Sequence, residues 1–214
     1  MPPGQSAENR SLPIRKKAKA RHDRAQETEA VGRFDILLEE SQKFCKAVGL
    51  HKDLILAIAR TDSDWPFILK IDALLETASK EIIRHGLRLK ILNRVISNGV
   101  LGEFVDSLPM NGRTSLLKLL EAAGCPPGEQ DFIGATRRVR NAYAHNIKYV
   151  DVSLIELIKQ RPDKSYLIKN LSAIENYDEA NLIASYEKDR GFLRFGIIDS
   201  TMRFLFFAYH IAVK

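Results

Sequence analysis

The chain has 214 residues, of which 45% are hydrophobic and 28% are charged, with a formal net charge of +6. This is the composition of an ordinary soluble globular protein, and the longest apolar stretch, residues 204–213, falls short of the roughly 18 residues that a transmembrane helix needs. Two cysteines, Cys45 and Cys125, are too few for a disulfide framework or a metal-binding set. We therefore expect a cytoplasmic protein with free thiols, no secretory signal, no membrane partner, and neither metal nor cofactor.

The basic residues are concentrated near the N-terminus. Residues 10–24 contain seven Lys or Arg and one Asp, a net charge equal to that of the whole chain. Because residues 1–30 also contain few large apolar side chains, we predict a disordered basic arm over 1–30. Such an arm can speed encounters with nucleic acid through its charge; alternatively, it only keeps the protein soluble.

From residue 31 onward, apolar residues recur at the spacing of α-helices. Residues 100–108 fit either a short helix or an extended segment, and Asn98-Gly99 is typical of a turn. Gly86 is expected to end the helix that Asp64 begins. The predicted helices cover residues 31–48, 50–59, 64–85, 89–96, 113–123, 129–145, 152–160, a short segment from Pro162, 178–190 and 192–213.

No stretch alternates in the way that strands do, so the sequence predicts an all-α fold. We expect a single helical bundle over residues 31–160 and a helical extension over 161–214. The last helix, with aromatic residues from Phe192 to Tyr209, is too apolar to stand alone. It should therefore pack on the bundle or on a partner.

One decapeptide, residues 137–146, combines arginines with a histidine: Arg-Arg-Val-Arg-Asn-Ala-Tyr-Ala-His-Asn. An arginine binds phosphate through its charge and its planar set of donors, and a histidine can transfer a proton near neutral pH. At about 100° per residue, Arg138, Asn141 and His145 share one face of a helix, whereas Arg140 and His145 are about 140° apart. Two copies of the helix packed across a two-fold axis would bring these groups into one basic cleft.

The Arg140-Asn141 pair followed by His145 resembles the signature motif of the HEPN superfamily of helical proteins. The upstream Leu74-Leu75-Glu76 and the leucine-rich segment 113–124 fit the same resemblance. It implies a HEPN-type bundle and a metal-independent endoribonuclease, as in toxin–antitoxin and phage-defence systems, whose site forms in a homodimer. The implied catalytic residues are Arg140, Asn141 and His145. The implied RNA contacts are Arg137, Arg138 and Lys148, with Glu76 and Tyr143 in support.

In the implied reaction, one histidine takes the proton of a ribose 2′-hydroxyl, which attacks the adjacent phosphate. Arg140 stabilises the added negative charge, and the second histidine or water protonates the leaving oxygen. The products would be a 2′,3′-cyclic phosphate and a 5′-hydroxyl, and DNA would be inert because it lacks the nucleophile. Glu76 would orient Arg140 or His145; Asp72, one turn earlier on the same helix, is the alternative. Tyr143 is expected to pack inside.

Residues 109–160 are also similar to the mannitol-operon-repressor branch of the superfamily, which favours a non-catalytic RNA- or nucleotide-binding, regulatory or scaffold protein. Direct repression at DNA is a third hypothesis, supported only by the basic arm. A purely structural interpretation has the motif capping its helix and pairing with Glu76 or Glu121. The partners implied are RNA, a second copy of the chain, and an antitoxin such as a nucleotidyltransferase-like protein.

Overall fold

The computed structural model describes residues 32–90, 98–174 and 178–213, without the side chains of 88–90 and 98. The predicted arm over 1–30 lies outside these residues. The chain forms two units, Met1–Ile36 and Leu37–Lys214. In the first unit, residues 32–36 are helical and Ile36 is exposed. Apart from the starting residue of the first helix, the features described below belong to the second unit.

The described residues are mostly helical and contain no strand. The all-α prediction is therefore confirmed. None of the described helices is long and apolar enough to cross a membrane. The helices are α1 (32–47), α2 (Leu54–Ala59), α3 (Asp64–Lys90), α4 (Asn98–Ser107), α5 (Leu116–Ala122), α6 (Pro127–His145), a 3-10 helix (Ile147–Tyr149), α7 (Leu154–Lys159), α8 (Lys164–Leu171), α9 (Glu179–Lys188) and α10 (Arg190–Ala212).

Helix α3 lies at the centre of the bundle and packs against α2, α4, α5, α6 and α10. Its apolar side chains recur every three to four residues, so they form one stripe that packing can remove from water. Every member of this stripe is buried: Phe67, Ile68, Ile71, Leu74, Leu75, Ala78, Ile82 and Ile83.

Helix α10 is buried on several sides because it contacts α2, α3, α6, α8 and α9. Gly196 makes one of these contacts possible: a Cβ atom there would lie 2.6 Å from the carbonyl oxygen of Ser172, at the end of α8. Many of the apolar side chains of α10 are thus buried against neighbouring helices of the same unit.

The region around residues 86–108 differs from the prediction. Helix α3 continues past Gly86 to Lys90, and α4 begins at Asn98, where a turn was expected. A glycine within a helix costs only about 1 kcal/mol relative to alanine, and Arg84 pairs with both Glu81 and Asp106 at this end of the bundle. The helix predicted over 89–96 falls largely outside the described residues.

Candidate functional site

Helix α6 carries the motif and is anchored by its apolar face. Pro127 occupies the first turn, where the missing N–H has no intrahelical partner to lose. The helix packs mainly on α3 and α8. Its buried residues are Phe132, Ile133, Ala135, Thr136, Val139 and Tyr143. The opposite face is left to the polar motif residues, which therefore sit on a rigid support.

Tyr143 fixes the C-terminal end of α6 from inside the bundle. Its side chain is 1% exposed, and its hydroxyl donates a hydrogen bond to the carbonyl oxygen of Val152, 3.0 Å away. Burial raises the pKa of the Tyr143 phenol, and the carboxylates of Asp64 and Glu156 add to the effect. The phenol therefore stays protonated and holds the segment after α6 in place.

A buried carboxylate on α3 faces two arginines of the motif. Asp72 is 4% exposed; it pairs with Arg137, and its Oδ2 lies 3.4 Å from Nε of Arg140. Burial raises the pKa of the Asp72 carboxyl, and the guanidiniums of Arg137 and Arg140 counteract part of this rise. Asp72 thus holds one edge of Arg140 against the bundle.

Glu76 lies beside a different arginine from the one predicted. Its carboxylate is 3.3 Å from Arg137 and 2.9 Å from Lys80, whereas the carboxylate next to Arg140 belongs to Asp72. Although burial opposes it, the charges of Lys80 and Arg137 lower the pKa of Glu76. Asp72 precedes Glu76 by one helical turn on the same face of α3, so the sequence offered both carboxylates.

The other side of the Arg140 guanidinium is hydrogen-bonded to the next residue, Asn141. Its Nη1 donates to Oδ1 of Asn141 at 3.1 Å, and its side chain is 34% exposed. Within the described part of the chain, Nη2 of Arg140 and Nδ2 of Asn141 have no hydrogen-bond partner. Two neighbouring groups of N–H donors are therefore available to an anion such as phosphate.

His145 is the last residue of α6 and is exposed to solvent. Its imidazole has no hydrogen bond or ion pair with any other residue that the structure describes. Two further exposed side chains follow, Ile147, which is 82% exposed, and Lys148. Backbone geometry places Arg140 and His145 about 7.5 Å apart along the helix axis and on different sides of it. One protomer thus offers an accessible imidazole near, but not facing, its arginine.

Arg138 contacts residues at the start of α8 rather than the carboxylates of α3. Its guanidinium lies 4.5 Å from the centroid of the Tyr166 ring and 3.1 Å from the carboxylate of Asp163. Both Arg138 and Tyr166 line an open groove of about 300 Å³ between α5, α6 and α8. The described residues contain no group of three or more His, Cys, Asp or Glu placed to hold a metal ion.

In comparisons with known proteins, the chain matches no family model, no curated protein and no solved structure. The resemblance to the HEPN superfamily therefore rests on the sequence alone, namely on the motif in α6, on Leu74-Leu75-Glu76 and on the leucine-rich segment 113–124.

Proposed function

We propose that the protein is a metal-independent endoribonuclease of HEPN type whose active site forms between two copies of the chain. The observation that carries the proposal is the end of α6, where Arg140 is hydrogen-bonded to Asn141, further N–H donors of this pair have no partner among the described residues, and a solvent-exposed His145 follows. The donors suit a phosphate, and the imidazole suits proton transfer.

The chemistry follows from the residues present. His145 would accept the proton of a ribose 2′-hydroxyl, so that the oxygen attacks the neighbouring phosphorus atom. Arg140 would donate hydrogen bonds to the phosphate oxygens as negative charge accumulates on them. The P–O5′ bond then breaks, and the leaving oxygen takes a proton from the second protomer's histidine or from water. A 2′,3′-cyclic phosphate and a 5′-hydroxyl result.

The asymmetry of Arg140 supports this assignment. Asp72 pairs with Arg140 at Nε, while Nη1 of the guanidinium donates to Asn141 and the side chain remains 34% exposed. A buried carboxylate restricts the arginine's rotamers, so that less conformational entropy is lost when phosphate binds. Arg140 and His145 lie on different sides of one helix. A second copy of the chain, related by a two-fold axis, would bring the histidine of one protomer close to the arginine of the other.

The test is cleavage of mixed RNA in EDTA by the wild type, by Arg140→Ala and by His145→Ala. We expect only the wild type to yield fragments ending in 2′,3′-cyclic phosphate. His51→Ala, which removes another exposed histidine, is the matched control and should cleave normally. If the wild type and both site variants are equally inactive while all remain folded, the nuclease proposal is wrong.

One observation favours the non-catalytic alternative, a HEPN-like RNA- or nucleotide-binding regulator. Asp72 ties both Arg137 and Arg140 to α3, which fixes an anion-binding surface that does not require His145. Under this alternative, the wild type binds RNA without cutting it, and Arg140→Ala weakens binding. An antitoxin or other protein partner belongs to either hypothesis and would be detected by co-purification from the native host.

A further inference from the structure

The groove between α5, α6 and α8 lies on the same side of α6 as His145. Arg138 and His145 are seven residues apart, which places them within about 20° around the helix and about 10 Å apart along it. Asn141 lies between them. A strand of RNA whose phosphate contacts the end of α6 can therefore place a neighbouring nucleotide at the groove.

The groove wall contains a cationic stacking surface. The central carbon of the Arg138 guanidinium lies over the Tyr166 ring, 4.5 Å from its centroid, and the ion pair with Asp163 limits its rotation. The Arg138 side chain is still 51% exposed. A planar guanidinium that is positioned over an aromatic ring and remains accessible to solvent is a surface on which a planar base can stack.

The position of Tyr166 is itself fixed by α6. Its hydroxyl donates to the carbonyl oxygen of Asp131 at 3.2 Å and lies 3.5 Å from Oδ1 of the same residue. Gly134 allows this approach, since a Cβ there would be 3.2 Å from the Tyr166 hydroxyl. The stacking surface is therefore built into the fold and does not depend on one mobile arginine.

The charges around the groove indicate which part of a nucleotide it accepts. Its lining includes two carboxylates, Glu121 and Asp131, and two cations, Lys118 and Arg138. Lys118 already pairs with Glu121 at 2.8 Å. A phosphate would bind weakly here, because the two carboxylates repel it while the two cations attract it. A base bearing an amino group can instead stack on Arg138 and donate a hydrogen bond to Asp131.

We propose that this groove is a nucleobase subsite that binds one base of single-stranded RNA, by stacking on Arg138, and prefers bases with an exocyclic amino group over uracil. The inference rests on the proposed function for its choice of RNA as the ligand. It goes beyond that function because it assigns a sequence preference to residues outside the phosphate-binding end of α6.

The test measures binding and needs no cleavage. Fluorescently labelled 2′-O-methyl oligonucleotides of about eight residues, one all cytidine and one all uridine, differ in a single amino or oxo group per base and cannot undergo transesterification. Fluorescence anisotropy should show tighter binding of the cytidine oligomer by the wild type. Free cytidine monophosphate should compete only weakly, because it lacks the neighbouring phosphates; competition as strong as that of the oligomer would assign the groove to free nucleotides and overturn the proposal.

Four variants separate stacking from charge. Arg138→Ala should weaken binding of the cytidine oligomer about five-fold or more, and Arg138→Lys nearly as much, because lysine keeps the charge but loses the planar surface. Asp131→Asn should abolish or reverse the preference for cytidine over uridine. Lys159→Ala, which removes an equally exposed cation from α7, is the control and should bind like the wild type.

The outcomes distinguish this proposal from the proposed nuclease activity. Full rescue by Arg138→Lys, equal binding of both oligomers, or no binding at all would overturn the subsite. If the wild type cuts RNA but none of the groove variants changes binding, the nuclease stands and the subsite is wrong. If RNA is not cut but the cytidine preference depends on Arg138 and Asp131, the subsite stands without the nuclease.

Discussion

The contact between α10 and the end of α8 gives a prediction whose size can be worked out from the structure. In Gly196→Ala, the new Cβ would lie 2.6 Å from the Ser172 carbonyl oxygen, whereas ordinary contact begins at 3.4 Å. The two helices must therefore separate by about 0.8 Å. Such overpacking costs about 1–3 kcal/mol, and alanine's higher helix propensity returns about 1 kcal/mol.

We therefore expect Gly196→Ala to lower the free energy of unfolding by up to about 2 kcal/mol. In a chain of this length that corresponds to a fall in Tm of about 2–4 °C per kcal/mol. Urea titration followed by circular dichroism measures the change. The slope of the transition should not change, because the surface exposed on unfolding is the same.

Gly86→Ala is the matched control for this experiment. Gly86 lies within α3, and apart from its chain neighbours and the nearby backbone of its own helix, no atom of the described residues lies within 4 Å of the Cβ that the substitution would add. Here only helix propensity acts, so the variant should be more stable than the wild type by about 0.5–1 kcal/mol. If both variants are stabilised equally, the close approach of α10 to Ser172 does not exist in solution and the packing argument is wrong.

Three further predictions concern buried groups. Burial raises the pKa of Cys45 to about 11 and that of Cys125 to about 12, so alkylation near pH 8.5 should be about a hundredfold slower for Cys45 and about a thousandfold slower for Cys125 than for an unfolded thiol, and should become faster as the pH rises; rapid labelling without denaturant would contradict this. Tyr143→Phe removes the hydrogen bond to Val152 and should cost about 1 kcal/mol in urea unfolding, and an unchanged midpoint would argue against that bond. Ser153→Ala removes the capping box of α7 and should lower the free energy of unfolding by about 1 kcal/mol. Lys159→Ala, at an exposed position of the same helix, is the control and should leave the free energy of unfolding unchanged.

The parts of the fold that the sequence predicts are those governed by periodicity. The stripe of α3 could be identified residue by residue because a 3.6-residue repeat depends only on the helix itself. The end of α3 could not be predicted in this way, because a single glycine often fails to end a helix. The helix is held beyond Gly86 by Arg84, whose partners lie in α3 and in α4. Contacts of this kind depend on the placement of a second helix, which no local pattern encodes.

The candidate site shows the same division. The exposed positions of Arg138 and His145 follow from the helical wheel of α6, given that Val139 and Tyr143 are buried. The stacking of Arg138 on Tyr166 joins residues 28 positions apart on two helices, so it could be found only from the packed structure. Spacing within one helix is local information; the choice of partner across helices is not.

The carboxylate beside Arg140 illustrates why that choice matters. Asp72 and Glu76 lie one turn apart on α3, and a shift of about 6 Å along the helix axis decides which of them meets Arg140. The shorter, deeper residue does so, while Glu76 reaches outward to Lys80. An acid at the buried position fixes the guanidinium without projecting negative charge towards its solvent-exposed edge, where Asn141 lies. Because a carboxylate on that exposed edge would repel phosphate, the buried location of Asp72 is compatible with an anion-binding role for Arg140, and that of Glu76 would be less so.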